Sequence, residues 1–252
     1  MNPVWLLLLL PLAAASGWYA ASRGRRSTRS VGADIPQAYF KSLNLLLNEQ
    51  QDKALDVLIS ALETHEETVE IQLALGNLFR RRGEIERATQ LHQNLIARSG
   101  LDPEQRLHAL YELGQDYYKA GLFDRAESLL LEVAEAAQYS ESAYRLLLQL
   151  YEQEKEWDNA IDAARRLSLA SGEDLDGLLA QYNCELAEER MTAGFYQECA
   201  GFIHQALTLE QECTRALMQS GRLRAIKNEH VTAIREWTRI VNRHPEMLTD
   251  VI

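Results

Sequence analysis

Three cysteines are the side chains of this sequence with the widest chemistry, because a thiolate can bind a metal ion, attack an electrophile or form a disulfide. Cys184, Cys199 and Cys213 include no C-x-x-C pair, which is the spacing of zinc and redox motifs. An odd number this small also does not provide the disulfide framework of a secreted domain. We therefore expect three buried, unreactive thiols and a reducing compartment.

The other catalytic and metal-binding patterns are missing from the sequence. None of the six histidines forms an H-x-x-x-H pair, and His65-Glu66-Glu67 is not the H-E-x-x-H motif of zinc proteases. There is no G-x-S-x-G nucleophile elbow and no G-x-G-x-x-G or G-x-x-x-x-G-K-[ST] phosphate loop. The sequence predicts no catalytic residue, no metal ligand and no cofactor, and so a protein that is not an enzyme.

An acidic segment from Ser171 to Gly177 is the remaining candidate for a cation site. Its acids Glu173, Asp174 and Asp176 lack the ordered ligand spacing and the closing glutamate of a calcium loop. We interpret this segment as a solvated connector between helices.

The charge of the chain argues against nucleic acid as a partner. The 252 residues include 26 basic and 37 acidic ones, for a net charge of −11. Residues 1–34 contain four of the basic residues and one acid, so residues 35–252 carry 22 − 36 = −14. Binding to phosphates requires a basic surface that displaces counterions, and no long basic stripe is present. Only 13 glycines and 5 prolines, with abundant Leu, Ala and Glu, indicate a nearly all-helical protein.

The first 22 residues predict a transmembrane anchor. Val4–Ala21 contains no charged residue, and its 18 residues are at the lower end of the roughly 17–25 that cross a bilayer. Trp5 lies near one end of this segment, and Trp18 and Tyr19 lie near the other, where amphipathic rings favour the headgroup layers.

A basic linker over residues 23–34 gives the anchor its expected orientation. Arginines placed directly after a span keep that side in the cytoplasm and can contact anionic headgroups. The arginines in question are Arg23, Arg25, Arg26 and Arg29. We expect a single-pass protein whose main body faces the cytoplasm.

A cleavable signal peptide is the alternative interpretation of this segment, and it would make the chain an exported repeat protein that assembles envelope components. The small residues Ala13-Ala14-Ala15 resemble a cleavage site. However, Met1-Asn2-Pro3 lacks the positive charge that precedes the apolar run of a signal peptide. The sequence therefore favours a retained anchor.

Small residues form a stripe along the predicted anchor. Ala13, Gly17 and Ala21 are spaced at i, i+4 and i+8, which would let a second transmembrane helix approach closely. The same spacing also fits an anchor whose small residues have no partner.

The chain repeats itself at a period near 34 residues, the length of a tetratricopeptide repeat. Six repeats begin at Ile35, Val69, Leu107, Glu141, Ala180 and Thr214. A small residue occupies the twentieth position of every repeat, where two helices must cross closely: Ala54, Ala88, Ala126, Ala160, Cys199 and Ala233. The eighth position is also mostly small: Ser42, Gly76, Gly114, Leu148, Ala187 and Gly221. At the fifteenth position Gly83, Gly121 and Gly194 predict turns with a positive φ.

These repeats predict an all-α fold in which an N-terminal transmembrane helix is followed by a right-handed superhelical solenoid. Residues 35–246 form six helix pairs, whose first helices line a concave face. Residues 247–252 are too short to cover the last apolar face, so we expect them to begin a further, truncated repeat.

A partner-binding groove is expected on the first helices, whose positions 2, 5, 9, 12 and 13 project into the concave face. Tyr supplies contact area there and Arg supplies directed hydrogen bonds, which suits an extended peptide or a protein. The candidate groove residues are Asn77, Arg80, Arg81, Tyr111, Gln115, Tyr118, Lys119, Arg145 and Gln149. An alternative is that Arg80-Arg81-Arg82 is only a basic helix end stabilised by the macrodipole.

The anchor and the repeats together resemble the lipopolysaccharide assembly protein B family of Gram-negative bacteria. The matching segments follow in order along the chain: LLLPLAAASGWY, NLLLNEQQDKALD, LALGNLFRRRGEIERATQLHQNLI, GLFDRAESLL, EWDNAIDAARRL and CELAEERM. The resemblance covers essentially the whole sequence.

That resemblance implies a single-pass inner-membrane adaptor with cytoplasmic repeats. Its expected partners are the membrane AAA+ zinc protease and the deacetylase of the lipid A pathway, whose degradation limits lipopolysaccharide synthesis. Other lipopolysaccharide synthesis and transport proteins are further expected partners, and a scaffold for these enzymes without a proteolytic role is the alternative. Members of the family continue into a rubredoxin-like metal ribbon with two C-x-x-C pairs, so the metal site would lie in a part that this sequence lacks.

Overall fold

The computed structural model describes residues 41–42, 51–64 and 69–243. The chain divides into two compact units, Met1–Val57 and Leu58–Ile252. In the described ranges every regular element is an α-helix and no strand occurs, which confirms the predicted all-α solenoid of tetratricopeptide repeats.

Eleven helices are present in this described part of the chain. They are α1 (Gln51–Thr64), α2 (Val69–Arg81), α3 (Ile85–Ile96), α4 (Pro103–Lys119), α5 (Phe123–Ala134), α6 (Ala137–Glu154), α7 (Trp157–Ser171), α8 (Asp176–Thr192), α9 (Tyr196–Leu209), α10 (Thr214–Ile226) and α11 (His230–Arg243). From α2 onward they form five antiparallel pairs, and each second helix also packs on the first helix of the next pair. First helices of successive pairs contact each other directly, as α2 and α4, α4 and α6, and α8 and α10 do.

The turn inside each pair uses a left-handed residue, as the sequence predicts for the three turns that contain glycine. Gly83, Gly121 and Gly194 have φ values of 81°, 73° and 80°. Lys155 and Asn228 occupy the same position in the other two pairs, with φ values of 60° and 63°. The turn therefore requires a left-handed residue even where the sequence does not supply glycine.

Three first helices are one turn longer than the repeat register suggests. They begin four residues before the predicted repeat starts, at Pro103, Ala137 and Asp176 instead of Leu107, Glu141 and Ala180. For α4 the cause is local, because the Asp102 carboxylate accepts a hydrogen bond from the Gln105 backbone N–H at 2.9 Å and Pro103 occupies the first turn. The register thus marks the buried contacts and not the helix ends.

The small residues at position twenty lie where helices cross. From α3 onward they are at most 1% exposed: Ala88, Ala126, Ala160, Cys199 and Ala233. A continuous apolar core extends from α4 to α8. Smaller buried clusters join α2 and α3 to α4, and α8 and α9 to α10.

Positions eight and twenty-four of each pair have complementary sizes. A Cβ atom placed on Gly76 would lie 2.2 Å from His92 Nε2, and one placed on Gly221 would lie 2.1 Å from Trp237 Nε1. The sizes are reversed in the pair that α6 and α7 form, where Leu148 occupies position eight and Ala164 position twenty-four; both are buried. The two positions therefore share one volume that either helix can fill.

The acidic connector lies between α7 and α8 and is exposed. Gly172 ends α7 with a φ of 75°, and the Asp174 carboxylate accepts the backbone N–H of Asp176 at 3.0 Å. No group of three or more potential metal ligands is found in the part of the chain that the structure describes.

The predicted anchor, the basic linker and the end of the chain lie outside the described residues. This applies to Trp5, Ala13, Gly17, Trp18, Tyr19, Ala21, Arg23, Arg25, Arg26 and Arg29, and to residues 247–252. Among the helices of the described ranges, none has the length and apolar character needed to cross a membrane.

Candidate partner-binding groove

The nine candidate groove residues lie on three successive first helices. Those on α2 are Asn77, Arg80 and Arg81; those on α4 are Tyr111, Gln115, Tyr118 and Lys119; those on α6 are Arg145 and Gln149. Positions 2, 5, 9, 12 and 13 of the last five repeats lie on the first helices α2, α4, α6, α8 and α10. We call the surface that these positions form the first-helix face. The surroundings of the nine side chains divide them into three groups.

Arg80 belongs to a largely buried polar network and keeps only 12% of its side-chain surface exposed. Its guanidinium donates to Asp116 Oδ1 at 2.7 Å and to Glu112 Oε2 at 2.5 Å, so it joins α2 to α4. It also donates to the Asn77 and Gln115 side-chain oxygens at 2.9 Å and 3.4 Å. Three of the nine candidates therefore hold two repeats together.

The same network reaches the second helix α3 through a histidine. Asp116 is fully buried, and its Oδ2 lies 2.6 Å from Nδ1 of the fully buried His92. One carboxylate thus contacts Arg80 from α2 and His92 from α3.

The network determines the protonation of its second carboxylate. Burial raises the pKa of Glu112, but the hydrogen bond from His108 and the charge and hydrogen bonds of Arg80 outweigh burial and lower the pKa to about 2. Burial alone would lower the pKa of Arg80, but Glu112 and Asp116 raise it. Both ions therefore remain charged over the ordinary pH range.

The two tyrosines are half-buried and pack against other aromatic rings. The Tyr111 ring centroid lies 5.6 Å from that of Tyr139 on α6, and the Tyr118 centroid lies 5.9 Å from that of Phe123 on α5. Burial and the charge of Glu112 raise the pKa of Tyr111. Tyr111 thus packs across two repeats and Tyr118 within its own helix pair, and both side chains keep part of their surface exposed.

The remaining four candidates are exposed. The ammonium of Lys119 lies 5.7 Å from the Tyr118 ring centroid. Arg145 donates to Glu173 at 2.5 Å and to Glu141 at 2.9 Å, and these hydrogen bonds raise its pKa. Arg81 and Gln149 are exposed in the last turn of α2 and the middle of α6. These four side chains are open to solvent.

A cavity of about 670 Å³ beside α8 and α10 adds residues that the sequence analysis missed. Five of its lining residues occupy positions 2, 5 or 9 of the last two repeats: Gln181, Glu188, Arg215, Met218 and Arg222. The same repeat positions that gave the candidates on α2, α4 and α6 would have identified these residues on α8 and α10. A cavity of this size is in the range of small-molecule and side-chain pockets.

Ion pairs and a buried amide order this cavity. Arg215 donates to Glu185 at 2.6 Å, a contact that lowers the pKa of Glu185. Gln219 is 2% exposed and donates to the Cys184 carbonyl at 2.8 Å and to Glu188 at 3.0 Å. The cavity therefore combines fixed polar groups with the apolar side chain of Met218.

The cysteines are buried, as the sequence predicts, but two of them are adjacent. Cys184 on α8 and Cys213 at the start of α10 have their Sγ atoms 3.9 Å apart. A C-x-x-C search does not connect these two residues, because the stacking of repeats brings them together.

Comparison with known proteins agrees with this fold. Residues 111–174 match the family model for the tetratricopeptide repeat. The chain is 35% identical over 249 residues to lipopolysaccharide assembly protein B of Escherichia coli K12, and the match covers 98% of this chain. The protein of the same name from Haemophilus influenzae is 32% identical over 259 residues, again covering 98% of this chain. These proteins are homologues of this chain.

The chain spans 64% of the length of each of these two proteins named lipopolysaccharide assembly protein B. Among solved structures, the crystal structure of MamA is 18% identical, with a TM-score of 0.49, and the match covers 68% of this chain and 95% of that one.

Proposed function

We propose that this chain is a non-catalytic adaptor of the inner membrane that regulates lipopolysaccharide synthesis. The observation that carries the proposal is its similarity to lipopolysaccharide assembly protein B along 98% of its length. A solenoid of helix pairs with polar and aromatic side chains on its first helices suits protein binding, since such repeats present extended surfaces. The proposed adaptor acts by binding proteins and does not catalyse a reaction.

The proposed location is a single-pass anchor at residues 1–22 with the repeats in the cytoplasm. The uncharged segment Val4–Ala21 and the arginines that follow it support this orientation. An anchor confines the repeats to the membrane surface. It thereby raises the effective concentration of membrane-bound partners.

The proposed partners are the membrane AAA+ zinc protease and the lipid A pathway deacetylase, with other lipopolysaccharide synthesis and transport proteins as further partners. In this proposal the adaptor brings the deacetylase to the protease and so shortens its lifetime. Bringing two proteins together requires two contact regions, and the first-helix face offers one over α2 to α6 and one at the cavity of α8 and α10.

The proposed direct contacts are the exposed candidates Arg81, Lys119, Arg145 and Gln149, with Tyr111 and Tyr118 beside them. Arg80, Asn77 and Gln115 are proposed to act indirectly, by holding α2 against α4. A partner-binding variant should therefore alter Arg81 and leave Arg80 intact.

The test is the half-life of the deacetylase in cells that lack the native adaptor. Such cells would carry this chain, or this chain with Arg81→Glu, Lys119→Glu and Tyr118→Ala. We expect this chain to shorten the half-life and the variant to do so less, at equal cellular levels and equal helicity. As a matched control, Arg165→Glu and Arg235→Glu change exposed charges on second helices and should leave the half-life unaltered.

The outcomes separate the proposal from its alternative. If a chain extended through a metal ribbon shortens the half-life and this chain does not, the regulatory step requires that further segment. If neither chain changes it, the proteolytic role is wrong and a scaffold for synthesis enzymes becomes the better interpretation.

A further inference from the structure

Two thiols of successive repeats meet in a buried cluster. Cys184 and Cys213 are at most 2% exposed, and they pack with Ala180, Ala206 and Ala216. Their Sγ atoms, 3.9 Å apart, are close enough for an S–H···S hydrogen bond. The partly buried Leu207 and Leu209 also pack against this cluster.

The surroundings make the two thiols unequal. Cys213 is the residue before α10, and the first backbone N–H groups of a helix stabilise a negative charge. The hydrogen bond with Cys184 lowers the pKa of Cys213, as do the N–H groups of Ala216 and Arg215. The same hydrogen bond and burial raise the pKa of Cys184.

Cys213 is also the thiol closer to solvent, at 2% exposed against 0% for Cys184. It lines the cavity of about 670 Å³, together with Gln181 and Met218, and Gln181 Nε2 lies 3.6 Å from its sulfur. Cys184 lies behind it and does not line the cavity. A sulfur at a cavity wall with a second sulfur directly behind it is the arrangement of an attacking and a resolving cysteine.

We propose that Cys184 and Cys213 form a thiol–disulfide site that low-molecular-weight disulfides oxidise to an intramolecular disulfide between α8 and α10. The Cys213 thiolate attacks one sulfur of the reagent, whose S–S bond breaks and releases one thiolate. Cys184 then loses its proton to solvent and attacks Cys213 Sγ, and the second thiolate leaves. The dithiol loses two electrons, and the reagent is reduced to two thiols.

Cys199 is the internal control. It is fully buried in α9, and burial raises its pKa. It belongs to a different cluster, with Ala187 and Ile203. The chain has only three cysteines, so every thiol can be followed separately.

The experiment treats the purified full chain with oxidised glutathione at neutral pH, alkylates the remaining thiols and maps the peptides by mass spectrometry. We expect a peptide pair joined through Cys184 and Cys213, while Cys199 remains alkylated. Dithiothreitol should restore all three thiols. Oxidation of Cys199 at the same rate as Cys213, or a glutathione adduct that remains on Cys213, would overturn the proposal.

Single variants test the order of attack. Cys184→Ser should trap glutathione on Cys213, whereas Cys213→Ser should leave Cys184 unmodified and Cys199→Ser should react like the unaltered chain. Circular dichroism establishes that each variant is folded. The peptide mapping of the unaltered chain needs no substitution, so it tests the proposal even if a variant does not fold. Its result does not depend on the adaptor function.

Discussion

Arg80 shows how a surface position can become structural. Its partners Glu112 and Asp116 lie 32 and 36 residues away along the chain, so no local pattern indicates them. Its position in the repeat predicts that the side chain lies on the first-helix face, whereas in the structure its charge lies between α2 and α4. Because the stacking of repeats supplies Glu112 and Asp116, Arg80 joins two helices and is not free to bind a partner.

Replacing Arg80 should therefore weaken folding more than replacing its neighbour. Arg80→Leu leaves two buried carboxylates without their cation, and breaking a buried ion pair costs about 3–5 kcal/mol. Arg81→Leu changes an exposed charge and should alter the free energy of unfolding by less than about 0.5 kcal/mol. Urea denaturation of both variants measures the difference, and equal losses would contradict the network's role.

The same network predicts a dependence of stability on pH. The pKa of Glu112 is about 2 in the folded chain, below the value of about 4.3 expected when unfolded. Its stabilisation is therefore fully present above the unfolded value, and it is lost as the pH falls from there towards 2. The two values imply a contribution of about 3 kcal/mol.

Urea denaturation at a series of pH values, on the unaltered chain and on Glu112→Gln, isolates this contribution. We expect the difference in the free energy of unfolding between the two to be constant above about pH 5 and to shrink at lower pH. A difference that stays constant down to pH 3 would show that Glu112 does not titrate with the depressed pKa.

At the scale of helices, the shared volume at positions eight and twenty-four sets how closely a pair can pack. Gly221 accepts the Trp237 ring against its backbone, and the Trp237 indole N–H donates to the Met218 carbonyl at 3.3 Å. Ala187 is matched with the smaller Ile203 at the same positions. A larger side chain at one of the two positions thus requires a smaller side chain at the other.

Gly221→Ala should destabilise the pair of α10 and α11 by about 1–3 kcal/mol, because the added Cβ would overlap the Trp237 ring. Adding Trp237→Ile should recover part of the loss, since it reproduces the Ala187 and Ile203 combination. Gly201→Ala is the matched control: this exposed helical glycine has open space at its Cβ, so the change should stabilise by up to about 1 kcal/mol. Thermal or urea unfolding compares the three, and failure of the rescue would argue against a shared volume.

Local signals in the sequence were sufficient for much of the fold. The turn glycines and the small residues at position twenty each act within one helix pair, so a repeat register identifies them. The longer first helices were missed because position eight marks a buried contact and not a helix end. The thiol pair was missed because it arises only between repeats, which the C-x-x-C spacing cannot report.

At the scale of the molecule, contacts between repeats change in character along the chain. The middle, from α4 to α8, has a continuous apolar core, whereas α2 is held to α4 partly by ions and α8 to α10 partly by Gln219. In a solenoid the stability of each unit depends on its neighbours. We infer that the ionic contact between α2 and α4 makes unfolding of that flank sensitive to pH through Glu112.

The membrane topology is the prediction that concerns the whole chain. A fluorescent protein fused after Asp34 should be fluorescent in the cytoplasm and should keep the N-terminal peptide, because the arginines follow the span. Alkaline phosphatase at the same site should be inactive. Active phosphatase with a cleaved N-terminus would instead support the exported alternative.

The reversed sizes at Leu148 and Ala164 have a consequence for how such a chain can change over generations. Recombination between two repeats at their turns would join a first helix from one repeat to a second helix from another. Gly114 opposite Ala164 would leave a void, and Leu148 opposite Trp237 would not fit. Crossovers that involve the pair of reversed sizes should therefore persist only where that whole helix pair is exchanged, which makes the pair, and not the helix, the unit that can be inherited, duplicated or lost there.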